Sequence, residues 1–288
     1  MEYLYHLAVL FTIYAGLAIS LDLIVGYTGL LSVTRAAFYG FGAYSTAILM
    51  TRYGFNFFVS VGVGIVVSMA LALLIGYVLS RFKDDYYALV SFGFNIIVFS
   101  IFLNWQDLTR GPLGIPGIGK PELFGFTFSS TLEFLALAVV LMALVYGVAR
   151  FIVNSSFGRV LEAIREDEKA ISVFGYNTKT YKLVIFVISA GMAAVAGSLF
   201  ASYITFIDPS TFTLNESIFI LAMIILGGLS NIRGAVLGAL FLILLPEALR
   251  FVGFPTDIAA QMRQVVYGAL LIGLMLYRPQ GMMGEFKL

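Results

Sequence analysis

The chain has 288 residues, 60% of them hydrophobic and 11% charged, with a formal net charge of +1. Soluble domains carry about a quarter charged residues, so this composition belongs to an integral membrane protein, and the near-zero charge gives no hint of a nucleic-acid partner. Cysteine is absent and histidine occurs once, as His6, which excludes disulfides, thiolate metal sites and multi-histidine clusters and leaves no metal site to expect.

A membrane-spanning helix needs roughly 20 apolar residues. Residues 3–21 form the first such run, with no basic n-region before it, so it reads as a membrane helix and not as a cleaved signal peptide. Gly26-Tyr27-Thr28-Gly29 then breaks the helix, and a second, glycine-punctuated segment covers 36–50. Further spans are expected at 54–80 and 86–106, joined by the charged turn 81–85, and at 132–149 after a loop rich in Pro and Gly around 111–117. The only extended charged segment follows, at 150–182, with six of the 17 Lys and Arg residues. Short loops with this bias stay in the cytoplasm, which puts the turn at 81–85 inside and the loop at 111–117 outside. A span at 183–207 leads to an outer turn at Asp208-Pro209-Ser210. Residues 217–228 and 234–245 are together too long for one simple span and too short for two. A broken helix or a re-entrant pair fits them, and either is tolerated only when buried in protein or lining water. A last span is expected at 264–277. The fold expected is an all-α integral membrane protein of about eight hydrophobic segments, two of them interrupted. It forms a single transmembrane domain over 1–288 with a cytoplasmic segment at 150–182.

The two interruptions share a pattern. Leu31-Ser32-Val33-Thr34-Arg35-Ala36-Ala37-Phe38-Tyr39-Gly40 is echoed by Leu229-Ser230-Asn231-Ile232-Arg233-Gly234-Ala235-Val236-Leu237-Gly238, with Leu, Ser, Arg, Ala and Gly in the same places. Duplicated, glycine-interrupted hydrophobic segments point to a transport site at a repeat interface. The candidate path residues are Asp22, Ser32, Thr34, Arg35, Gly227, Gly228, Ser230, Asn231 and Arg233. A charge in hydrocarbon costs roughly 2.5–3.5 kcal/mol on insertion scales, so Asp22, Arg35 and Arg233 need partners or water. An Asp22–Arg35 ion pair, a polar path that attracts a carboxylate, and arginines that snorkel to an interface are all open. Packing of small residues is the simpler account of Gly234 and Gly238, which form Gly-x-x-x-Gly.

Within the charged segment, Val160, Ile164, Ile171 and Phe174 fall on one helical face, with Glu162, Arg165, Glu166, Glu168 and Lys169 elsewhere. Ser155 or Ser156 can cap the start and Gly175 suits the position after the end. This amphipathic helix either joins two spans as a solvated or headgroup-bound linker, or docks its apolar ridge into a cytoplasmic partner.

Several of these stretches resemble one known family. Gly26-Tyr27-Thr28-Gly29-Leu30-Leu31-Ser32, with Ala36-Ala37-Phe38-Tyr39-Gly40-Phe41-Gly42-Ala43-Tyr44 after it, resembles the N-terminal signature of LivM-type permeases. These are membrane subunits of branched-chain amino acid importers of the ATP-binding-cassette class. Gly158-Arg159, Ala163-Ile164-Arg165-Glu166-Asp167-Glu168 and Gly175-Tyr176-Asn177 are similar to that family's cytoplasmic loop. Ile225-Leu226-Gly227-Gly228-Leu229 and Arg278-Pro279-Gln280-Gly281 are similar to later blocks. The resemblance implies a LivH-type second permease, LivG- and LivF-type ATPase subunits that bind ATP and Mg, and an extracytoplasmic binding protein. It also implies multi-pass insertion in a prokaryotic cytoplasmic membrane, among its lipids. It makes Gly158, Arg159, Glu162, Ile164, Arg165, Glu166, Asp167, Phe174 and Gly175 candidates for coupling to an ATPase. The family usually has Gly-His where this chain has Thr34-Arg35, and often Asn where it has Asp22, which leaves the substrate open between hydrophobic amino acids and urea or short amides.

Nothing in the chain reads Gly-x-x-x-x-Gly-Lys-Ser/Thr, and no catalytic set is present, so no cofactor is expected here and energy must come from another chain or an ion gradient. The leading expectation is a permease subunit powered by separate ATPases. An ion-coupled secondary transporter, with Asp22 as its deep acidic group, and a channel for a small neutral solute are the alternatives.

Overall fold

The computed structural model describes residues 2–82, 84–123 and 125–250, together with 265, 268–269, 272–273 and 280–283. In chain order the helices are α1 (Glu2–Thr28), α2 (Arg35–Tyr53), α3 (Phe57–Leu79), α4 (Asp84–Asn104), α5 (Gln106–Thr109), α6 (Thr131–Asn154), α7 (Ser156–Glu166), α8 (Glu168–Val173), α9 (Thr178–Ile204), α10 (Leu214–Gly227) and α11 (Ile232–Arg250). Five of them, α1, α3, α4, α6 and α9, are long and apolar enough to cross a membrane, and α10 and α11 form a pair bent by 119°. The architecture is that of a helical, multi-pass membrane protein. Among the described residues there are fewer simple spans than the eight segments expected, because α2, with Arg35 and Arg52 at its ends, is not apolar enough to count as one, and the expected segment at 264–277 falls mostly outside the described residues.

Helix ends follow local chemistry. Asn56 begins α3 by accepting the Phe58 N–H at 3.0 Å. Ser130 and Glu133 form a reciprocal capping box at the start of α6. The spans divide by burial: 78% of the apolar window of α1 and 67% of that of α9 lie inside the protein, against 28%, 28% and 33% for α3, α4 and α6. Thus α1 and α9 form the centre, and α3, α4 and α6 present Val, Leu and Ile side chains outward. Small residues on α9 let α2 approach closely; a Cβ at Gly197 would collide with the Tyr39 carbonyl.

Two short ribbons organise one end. Strand β1 (Ile115–Pro116) pairs antiparallel with β4 (Phe206–Ile207), and β2 (Glu122–Leu123) pairs with β3 (Phe126–Thr127). The Pro/Gly loop and the turn after α9 therefore share one end, as the charge bias implies. The segment 150–182 meets the C-terminal end of α1 at the opposite end, called here the basic end.

Candidate functional site

The first interruption turns back into the core. α1 continues through Asp22 to Thr28, and Gly29, at φ +70°, begins a non-helical stretch that lasts to Thr34. Backbone N–H and C=O groups at membrane depth must find partners inside the protein. Here polar side chains of other helices supply them. Ser91 of α4 accepts the Val33 N–H at 3.1 Å. Asn95 of α4 donates to the Val33 carbonyl at 2.8 Å and to the Ser217 hydroxyl of α10 at 2.6 Å. Ser217 in turn accepts the Ala36 N–H at 2.8 Å, at the start of α2. The Ser32 and Thr34 hydroxyls lie 3.0 Å apart.

Arg35 is fully buried in this knot. Its Nη1 donates to the Ser189 carbonyl at 2.9 Å and its Nη2 to the Ser189 hydroxyl at 3.2 Å. Ser189 is eleven residues beyond Thr178 in α9, so this contact lies roughly 16 Å into the helix at 1.5 Å per residue. The interruption reaches the middle of the bundle. Arg35 Nε and Asn95 Oδ1 are buried there without a protein partner among the described residues.

The second interruption, residues 228–231, lies at the basic end. Ser230 has φ +62°, unusual for a non-glycine residue. All its polar groups are held by α1: its N–H donates to Asp22 Oδ1 at 3.0 Å, its hydroxyl to the Gly26 carbonyl at 2.6 Å, and its carbonyl accepts from Tyr27 at 2.9 Å. Asn231 caps α11, accepting the Arg233 and Gly234 N–H groups at 3.0 and 3.2 Å. Met282 and Met283 donate their N–H groups to the Leu226 and Gly227 carbonyls at 2.9 Å each. The C-terminal turn thereby satisfies carbonyls that the end of α10 leaves open.

Several expected relations therefore change. Asp22 and Arg35 do not pair; Asp22 anchors Ser230 and Arg35 anchors to Ser189. The two interruptions do not share one midplane locus: the second stays at the basic end, where Ser230 touches Arg165, whereas the first starts beside Arg165 at Gly29 and runs inward to Arg35, which reaches Ser189 within α9. Arg233 is exposed where Arg35 is enclosed, as for an arginine that snorkels. Gly227 and Gly228 pack against Gly234, and a Cβ at Gly238 would collide with the Met223 carbonyl, which is the small-residue packing the Gly-x-x-x-Gly spacing suggests.

The charged segment is two helices, not one. Asp167 leaves the helical conformation and its carboxylate accepts the Lys169 and Ala170 N–H groups at 2.9 and 3.0 Å, ending α7 and capping α8. The break divides the expected ridge. Ile164 is 3% exposed and faces the protein, whereas Phe174 is 78% and Val173 86% exposed. Ser155 caps α7 through the Gly158 N–H at 3.3 Å, and Gly158 allows a tight turn after α6. Gly175, at φ +89°, closes α8. Arg159 reaches Ser156 at 2.9 Å, Glu162 is half-buried, and Glu166 pairs with Arg165 at 2.8 Å.

Composition and spacing did not single out Ser91, Asn95, Ser189 or Ser217. The available signal was two polar residues four apart, Ser91 and Asn95, inside an otherwise apolar span.

Residues 3–275 match the family model described as branched-chain amino acid transport system / permease component. The chain is 34% identical to the high-affinity branched-chain amino acid transport system permease protein LivM of Escherichia coli K12, over 96% of this chain and 69% of that protein. It is 30% identical to the corresponding protein LivH of the same strain, over 99% of this chain and 97% of LivH. A probable LivM of Methanocaldococcus jannaschii is 24% identical over 84% of this chain and 74% of that protein. No solved structure matches the chain.

Proposed function

The chain belongs to the family of branched-chain amino acid transport system permease components, and from that premise we propose that it carries branched-chain or other hydrophobic amino acids inward across a prokaryotic cytoplasmic membrane. It works with a second, LivH-type permease and takes its energy from ATPase subunits that hold ATP and Mg, while an extracytoplasmic protein delivers the substrate. The observation that carries this reading is the non-helical stretch 29–34, which leads from the basic end at Gly29 into the bundle, where side chains of α4, α9 and α10 hold Val33, Arg35 and Ala36. Irregular backbone at that depth is a transporter feature, tolerated because protein or a polar cavity surrounds it. On this reading Ser32, Thr34, Arg35 and Asn95 line or support the path, and Ser230, Asn231 and Arg233 belong to a joint at its cytoplasmic end. The ATPase contact falls on the exposed Val173, which ends α8, and Phe174 just after it, with α7 turned inward behind them.

The test is uptake of radiolabelled leucine into proteoliposomes that hold the chain with its second permease and ATPases, with loaded binding protein outside. ATP-dependent leucine uptake is expected, with none by the lone chain under a proton or sodium gradient. Robust ion-driven uptake by the lone chain, or transport of urea in place of leucine, would overturn the reading.

A further inference from the structure

Arg165 is the most unusual side chain of the charged segment. It sits on α7, close to the expected ATPase contact, yet its side chain is only 13% exposed and points toward the membrane helices. Its Nη1 donates to the Gly26 carbonyl at 2.9 Å and to the Ser230 hydroxyl. Nε and Nη2 donate to Glu166 at 3.2 and 2.8 Å, which fixes the plane of the guanidinium. The chain crosses directly over it: a Cβ at Gly29 would lie 3.1 Å from Arg165 Cγ. The guanidinium thus bonds the end of α1 and the joint between α10 and α11, while the aliphatic stem of Arg165 passes beside Gly29, where the stretch 29–34 begins.

A helix cap alone would need only the Gly26 bond, since an arginine near a helix end satisfies open carbonyls. The bond to Ser230 goes further. Ser230 is the residue on which α10 turns into α11, and its backbone is in the left-handed region, where a side chain is strained. It is kept there by Asp22 on its N–H, Gly26 on its hydroxyl and Tyr27 on its carbonyl. A strained residue that two other elements hold in place is released when either of them moves, and an element that two sites both bias is what couples them.

We propose that Arg165 is the positioning residue through which movement of the ATPase-side segment reaches the α10–α11 joint, with Ser230 as the receiving residue and buried Asp22 as its fixed anchor. This rests on the ATP-driven reading above. When α7 shifts relative to α1, Arg165 leaves Ser230, and the joint is free to change its bend while Asp22 holds its inner side.

The test uses the assembled transporter in proteoliposomes, with leucine uptake and ATP hydrolysis measured on the same sample. Arg165→Gln removes the guanidinium. Ser230→Gly removes the receiving hydroxyl and suits the left-handed backbone, so it serves if Arg165→Gln fails to fold. Both variants are expected to assemble and to hydrolyse ATP within twofold of the unaltered complex, while leucine uptake falls at least tenfold. Unchanged uptake per ATP in Ser230→Gly overturns the proposal. So does a parallel loss of complex, hydrolysis and uptake in Ser230→Gly, which would make its contact with Arg165 structural only. If the unaltered complex shows no ATP-driven leucine uptake, the transport reading itself fails, and the coupling role with it.

Discussion

The segments around Arg35 and Arg233 read almost alike, Leu-Ser-x-x-Arg with Ala and Gly after it, yet they occupy opposite kinds of surroundings. Arg35 is fully buried, bonded to α9 eleven residues beyond its start, and the Val33 N–H and carbonyl and the Ala36 N–H are tied to polar side chains of other helices. Arg233 is exposed at the basic end, beside a joint whose key residue, Ser230, is held by α1 and by Arg165. The same arginine is a strut in one copy and a solvated surface residue in the other. A shared sequence pattern therefore specifies an interruption of the helix, and the neighbouring helices decide at what depth it sits and what it does.

The comparison predicts unequal consequences. The largest belongs to Arg35→Ala, which removes two hydrogen bonds and leaves a void in the buried knot. A loss of about 3 kcal/mol is expected, seen as little folded protein and a clearly lowered melting temperature in detergent. If Arg35→Ala is as stable as the parent, the knot is not structural and the contrast collapses.

Asn95→Ala comes next. It breaks the bonds to Val33 and Ser217 together, at an expected cost of about 1–3 kcal/mol. Leucine uptake should fall with assembly retained, and Asn95→Asp, which keeps the shape but brings a buried charge, should do no better. Normal uptake by Asn95→Ala would remove α4 from the site.

Arg233→Ala should have the smallest effect, within about 0.5 kcal/mol in thermal stability, as for a surface substitution away from specific contacts. A loss comparable to that of Arg35→Ala would restore the idea of two equivalent halves.

The apolar runs revealed the spans, because a membrane fixes helix length so strongly. Both interruptions were legible in part: the first was read at Gly26-Tyr27-Thr28-Gly29, but α1 stays helical to Thr28 and breaks only at Gly29, and the second was read between 228 and 234 and falls at 228–231. Less visible was what each charge does. Asp22 looked like the end of a span, but α1 runs on to Thr28 because the Ser230 N–H, distant in sequence, meets the carboxylate. The cytoplasmic ridge failed for a local reason: Asp167 offers its carboxylate to the next turn, and this splits a helix that apolar periodicity alone would continue through. The knot around Val33 was hidden because a lone serine or asparagine in an apolar run reads the same whether it serves its own helix or a neighbour's backbone.

The absence of cysteine makes a direct test of the central contrast practical. Thr34→Cys, a small replacement in the buried knot, and Arg233→Cys are each treated in inverted and right-side-out vesicles with a membrane-impermeant maleimide, which reacts with water-exposed thiolate. The account predicts rapid labelling of Arg233→Cys in inverted vesicles only, and no labelling of Thr34→Cys from either side in the resting protein. Equal labelling of both positions from the same side would place the two interruptions in one environment and contradict it.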